Sequence, residues 1–145
     1  MTRGFLLFFL SIFILKLNAQ NHVTWQGSWN KSSNELVIIG TIEPSWHLYS
    51  PKTDPKLGPI PLSVTFPKSK DFKCKGDLLF LTEPAAHQDE NFGGMVYIWE
   101  NKIEIHQAIK VKRESAINLT LNYMICNDNV CIPPNNVYLQ INTTK

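Results

Sequence analysis

Cys126 and Cys131 flank the short polar segment Asn127-Asp128-Asn129-Val130, and Ile132-Pro133-Pro134 follows them. A disulfide between these two cysteines closes so short a loop that it adds only about 2 kcal/mol to stability in the chain-entropy account, whereas a bridge from either to Cys74 gives about 4 kcal/mol. As a staple, the local pair is the poorer choice. A pair of sulfurs on an exposed turn suits bond exchange, because exchange requires a reachable sulfur and a second thiol close enough to resolve a mixed disulfide. Spacing alone leaves two readings open: a redox pair, or a structural bridge of the kind secreted β domains use for stability. A metal site is the weaker idea. Two close cysteines need further ligands to hold zinc, and His22, His47, His87 and His106 show no paired spacing. Cu(I) held by Met95, Met124 and the two cysteines stands as a third reading.

The segments that position these cysteines read as strands. In Ile117 to Tyr123, Ile117, Leu119, Leu121 and Tyr123 alternate with Asn118, Thr120 and Asn122, the period-two pattern of a sheet with one buried face. Val137, Leu139 and Ile141 alternate likewise. Further strands are expected over Glu35 to Ile42, Trp46 to Tyr49, Leu62 to Phe66, Leu78 to Leu81, Met95 to Trp99 and Ile103 to Val111. No convincing helix is found. Four prolines and Gly58 between Pro51 and Pro61 predict an irregular connection. Glu100-Asn101-Lys102 reads as a tight link within a hairpin, and Gly93-Gly94 as a bend before it. Many short strands separated by turn residues predict an all-β sandwich or barrel.

A length of 145 residues suits one domain, and 11% aromatic residues with four tryptophans supply a core that a disordered chain lacks. Residues 1–19 read as a secretory signal peptide. Arg3 gives the positive start, Phe5 to Leu15 the apolar run, and Leu17-Asn18-Ala19 precedes a cut before Gln20. Lys16 ends the run too early for a membrane span. Residues 20–145 then form the mature domain, soluble and outside the cytoplasm, where disulfides are chemically permitted. Loss of Arg3 and Lys16 leaves 12 of the 14 basic residues against 12 acids. The net positive charge therefore belongs to the leader and argues for no nucleic-acid or anionic-membrane partner.

Tyr123-Met124-Ile125-Cys126 followed by Cys131-Ile132-Pro133-Pro134 resembles the redox segment of the N-terminal periplasmic domain of the DsbD thiol:disulfide interchange proteins. Trp46-His47-Leu48-Tyr49 is similar to that family's aromatic strand beside the active site, and His87 to Gly93 to its cap loop. The resemblance runs from about Val23 to Ile141. It implies an immunoglobulin-like β-sandwich in which Cys131 forms the mixed disulfide with a partner and Cys126 resolves it. It also implies a cap of Asp89, Glu90 and Phe92, with Tyr49 and His47 beside the pair. Such a lid keeps stray thiols away, and its carboxylates disfavour a free thiolate by like-charge repulsion. Cys74 matches nothing in the family's redox motif and is expected to be a buried free thiol.

Three departures are visible. Better-known members place one more residue between their cysteines, and in them an aromatic follows the acidic pair directly, where this chain has Asn91 and then Phe92. Full-length members continue into a multi-span membrane domain and a thioredoxin-like domain, whereas this sequence ends at Lys145. The leading expectation is therefore a periplasmic protein-disulfide reductase module without cofactor or metal. Electrons would come from a thioredoxin-fold or membrane-embedded partner and go to oxidised periplasmic proteins. The competing expectation is a secreted β-sandwich binding or assembly module with a purely structural disulfide.

Overall fold

The computed structural model of the chain describes residues 22–144. The signal-peptide reading falls on residues 1–19, outside the described residues. Eleven strands are described: β1 Val23–Asn30, β2 Glu35–Ile42, β3 His47–Tyr49, β4 Ser63–Thr65, β5 Phe72–Cys74, β6 Leu79–Phe80, β7 Ala85–Asp89, β8 Gly94–Glu100, β9 Lys102–Val111, β10 Ala116–Cys126 and β11 Cys131–Asn142. One sheet runs β1-β2-β9-β5, with β6 also on β9. The other runs β11-β10-β3-β8-β7, with β4 also on β10. All pairings are antiparallel.

Alternating sequence turns these sheets into two facing layers. Ile103, Ile105 and Ile109 of β9 meet Ile117, Leu119 and Leu121 of β10 in one core, together with Leu36, Ile38, Leu48 and Trp99. Their polar neighbours along each strand face outward, as a half-buried sheet requires. Two large rings have their polar handles satisfied, Trp25 Nε1 donating to the Tyr123 hydroxyl at 3.1 Å and Trp99 Nε1 to the Thr82 carbonyl at 2.7 Å, whereas Trp29 Nε1 is buried without a partner among the described residues. Gly40 leaves room for one of these rings. A Cβ there would lie 2.7 Å from the Trp25 ring and 2.9 Å from Ile103 Cγ2.

The connections confirm some expectations and correct one. The proline-rich segment is irregular apart from a single 3-10 turn, Pro55–Leu57, capped by the Asp54 carboxylate and ended by Gly58 at φ 104°. Glu100-Asn101-Lys102 is not a hairpin link. Asn101, at φ 61°, carries the chain from β8 in one sheet to β9 in the other, and its carbonyl accepts from the Ile42 N–H at 2.8 Å. Local spacing shows the tight turn but not which neighbours each strand finds. No helix of the described residues is long and apolar enough to cross a membrane.

Candidate active site

β10 and β11 form a hairpin whose last paired residues are the two cysteines. Cys126 and Cys131 face each other in register and are bonded as a disulfide with a Cα separation of 4.1 Å. The turn between them is built by Asn127. Its side-chain oxygen accepts from the N–H groups of Asn129 and Val130, each at 2.9 Å, and its own N–H donates to the Val130 carbonyl at 3.0 Å. Asparagine closes such turns because its short side chain imitates a backbone acceptor. Pro133 and Pro134, which lack N–H donors, lie opposite Met124, where the β10–β11 register shifts. The Met124 N–H donates instead to Ile60 of the proline-rich segment, at 3.2 Å.

The pair is less exposed than a free turn. Cys126 is 0% exposed and packs with Tyr49, Val96 and Ile98. Cys131 is half-buried, with Phe92, Leu57 and Met124 around the same cluster. One sulfur-bearing residue is thus sealed in the core while its partner keeps a way out.

Phe92 is fixed from three sides. Its ring meets Tyr49 edge-on, with centroids 5.7 Å apart at 83°. The absent side chain of Gly58 leaves space beside it, since a Cβ there would stand 3.5 Å from the ring. Asp89, 2% exposed, accepts from the N–H groups of Asn91 and Phe92 at 2.8 and 3.3 Å through Oδ1. Its other oxygen accepts from the Tyr49 hydroxyl at 2.7 Å, and His47 Nε2 bonds that hydroxyl at 3.1 Å. Because Tyr49 donates its proton to Asp89, the His47 bond requires an N–H on Nε2.

These polar groups are buried and connected, which sets their protonation. Burial first, then the bond to Asp89, pushes the Tyr49 hydroxyl far above its usual pKa, so it remains a donor. Burial and the adjacent His87, whose ring centroid is 5.7 Å away, lower the pKa of His47. The carboxylates of Asp89, Glu100 and Asp128 oppose that shift. A cleft of about 400 Å³ beside the hairpin turn is lined by His47, His87, Asp89, Glu90, Asn127 and Asp128.

Of the residues singled out from sequence, Cys126, Cys131, Tyr49, His47, Asp89 and Phe92 come together. Glu90 is exposed on the rim and makes no hydrogen bond within the network. The cap is part strand: His87 to Asp89 belong to β7, and only the turn after it is a loop. Cys74 is free as expected but exposed rather than buried, because β5 is a three-residue strand at a sheet edge. Sequence reasoning missed Leu57 and the turn-closing role of Asn127, and read Met124 as part of the redox segment or a Cu(I) ligand rather than as packing beside the pair. The Asn-Asp-Asn run was signal enough for Asn127; Leu57 is an ordinary apolar residue placed by a long-range contact.

The family described as thiol:disulfide interchange protein DsbD, N-terminal, matches residues 16–143. No curated protein matches the chain. Among solved structures, the reduced N-terminal domain of Neisseria meningitidis DsbD is similar at a TM-score of 0.63 and 16% identity, covering 86% of this chain and 87% of that one. The complex between the DsbD N-terminal and PilB N-terminal domains of Neisseria meningitidis gives 0.61 and 13%, covering 86% of each chain. The N-terminal periplasmic domain of ScsB from Proteus mirabilis gives 0.60 and 17%, covering 87% of this chain and 48% of that one. Matched along nearly its whole described length, with the shared two-sheet fold and a bonded cysteine pair at the hairpin tip, the chain belongs to the DsbD N-terminal domain family and is an immunoglobulin-like β-sandwich.

Proposed function

We propose that residues 20–145 form an extracytoplasmic thiol–disulfide exchange module, delivered to the periplasm by a cleaved leader, that reduces oxidised proteins with electrons from a thioredoxin-fold or membrane-embedded donor. The asymmetry of the pair carries this reading: Cys126 is sealed in the core and Cys131 is half-exposed beneath Phe92. A partner sulfur can approach only from the Cys131 side.

The electron balance follows from that geometry. A donor thiolate attacks Cys131 Sγ, the Cys126–Cys131 bond breaks, and Cys126 leaves as the thiolate. The donor's second thiolate then attacks its own sulfur in the mixed disulfide and releases Cys131. Two electrons have entered the pair, and the donor has become a disulfide. In the second half the Cys131 thiolate attacks a substrate disulfide, and Cys126 attacks Cys131 Sγ to free the reduced substrate. The local bridge is restored. Phe92, held by Asp89 and Tyr49, covers the sulfurs between encounters, and Glu90, Asp89 and Asp128 place negative charge beside a nascent thiolate. His47 supports the lid through Tyr49. The partner assignment draws support from the neighbouring complex of a DsbD N-terminal domain with a PilB domain, and the location from the periplasmic ScsB neighbour.

The test is a trapping experiment. In a Cys74→Ser background, Cys126→Ser mixed with a thioredoxin-fold protein whose single active-site cysteine is activated as its thionitrobenzoate disulfide should release thionitrobenzoate and give a disulfide-linked adduct through Cys131; Cys131→Ser should give none. If Cys126→Ser forms no adduct and the native bridge resists mild dithiothreitol, the bridge is architectural and the domain is a binding module.

A further inference from the structure

The near balance of basic and acidic residues conceals their separation in space. β9 runs from Lys102, beside the redox end, to Val111 at the opposite end of the sandwich, and Lys102 to Lys110 spans roughly 27 Å at strand rise. At the far end Lys31, Lys73, Lys75, Lys110, Lys112 and Arg113 are all exposed. Among the described residues, only Arg113 of these is in an ion pair, with Asp71 at 3.1 Å. Glu114 lines one of its grooves, exposed Asp77 follows Lys75 by two residues, and Glu35 is turned to His106 at 3.4 Å. At the redox end stand Asp89, Glu90, Glu100 and Asp128, while Lys102 is held by Glu104 at 3.3 Å.

The basic end costs stability, which makes it informative. Lys73 stands directly opposite Lys110 in the β5–β9 register, and like charges facing each other across a sheet destabilise it. Two adjoining grooves cross this end, sharing Asn34 and Val111. One, of about 460 Å³, carries Lys75 and Lys110; the other, of about 330 Å³, carries Trp29, Lys31, Lys112 and Arg113. Both grooves are open to solvent, so their ammonium groups can meet an extended anionic surface. Trp29 is part-buried against the core and Lys31 Nζ lies over its ring, 5.9 Å from the centroid, so the lysine ammonium rather than the indole is what this end presents.

We propose that this basic end is a docking face for the anionic headgroup surface of a phospholipid bilayer. A flat negative surface attracts one end of a molecule so divided and repels the other. Docking therefore turns the cysteine hairpin away from the bilayer and toward soluble partners. The site needs no redox step, so its fate is independent of the exchange mechanism.

Cosedimentation of the purified chain with vesicles tests it. Equimolar phosphatidylglycerol and phosphatidylcholine should bind the protein at low salt and release it at about 0.5 M salt, where screening is nearly complete. Pure phosphatidylcholine should not bind it. Each lysine neutralised at the face should weaken partition about fivefold, so Lys110→Gln with Lys112→Gln should lose about 25-fold. Lys102→Gln, the same charge change at the other end, should lose less than about twofold. Matching thermal melts show that the variants are folded. Equal binding to both lipids, no binding to either, or an equal loss from Lys102→Gln overturns the proposal. Capture by duplex DNA or an acidic polypeptide without vesicle binding overturns it as well.

Discussion

In the proposed lid, Phe92 supplies apolar cover and Asp89 the anchorage. Phe92→Ala should cost about 2 kcal/mol, less than the 3–5 of a fully buried phenylalanine, because the ring is half-exposed. Its more telling consequence is kinetic: reduction of the bridge by dithiothreitol, followed by thiol titration, should become faster than in the native chain. His47 adds a pH dependence. Burial and His87 hold its pKa below the ordinary 6.5, so the unfolded chain takes up a proton at a higher pH than the fold does. Stability resting on neutral His47 is complete above pH 6.5 and is lost as pH falls toward and through the folded value. Urea midpoints measured from about pH 7.5 to about pH 5 should fall more steeply for the native chain than for His47→Gln. A steeper fall in the variant contradicts this assignment. These residues were legible from sequence as a motif, but their connection was not. Nothing in the spacing of His47, Tyr49 and Asp89 shows that one hydroxyl joins the other two.

The β10–β11 hairpin holds its sulfurs together by turn chemistry as well as by the bond itself. When the bridge is reduced, Asn127 alone closes the turn. Asn127→Ala should therefore destabilise the reduced form by about 1 kcal/mol and the oxidised form by less, as read from urea denaturation with and without reductant. Gly40→Ala should cost about 1–3 kcal/mol, because the new methyl group must displace the Trp25 ring or Ile103. Strands with strong alternation, such as β2, β9 and β10, were readable from the chain. β1 was not, since Gly27 interrupts its apolar face where Ile141 of the other sheet fills the space. β7 is not legible either: the resemblance implies a cap loop from His87, Ala85 and Ala86 carry little strand preference, and pairing with β8 makes Ala85–Asp89 a strand.

Across the whole molecule, the bridge contributes little to the fold that carries it. Its reduction should lower stability by about 2 kcal/mol and leave the far-ultraviolet spectrum unchanged, because both layers are held by a core of larger side chains. A collapse of the spectrum on reduction contradicts that view. All-β architecture was legible from alternation, and the immunoglobulin-like arrangement only from the family resemblance. The partition of strands between sheets was not, because Asn101 joins two layers in a single residue and leaves no periodic trace. Charge separation was equally invisible in a balanced composition. β11 is the edge of its sheet, a long strand that could template the addition of a second copy. Pro133 and Pro134 remove two consecutive backbone donors just past Cys131, where an opened hairpin would be most tempting to a neighbouring strand. Under the proposed exchange role, the proline pair lets Cys131 be offered to solvent without also offering a continuous ladder on which identical molecules could stack.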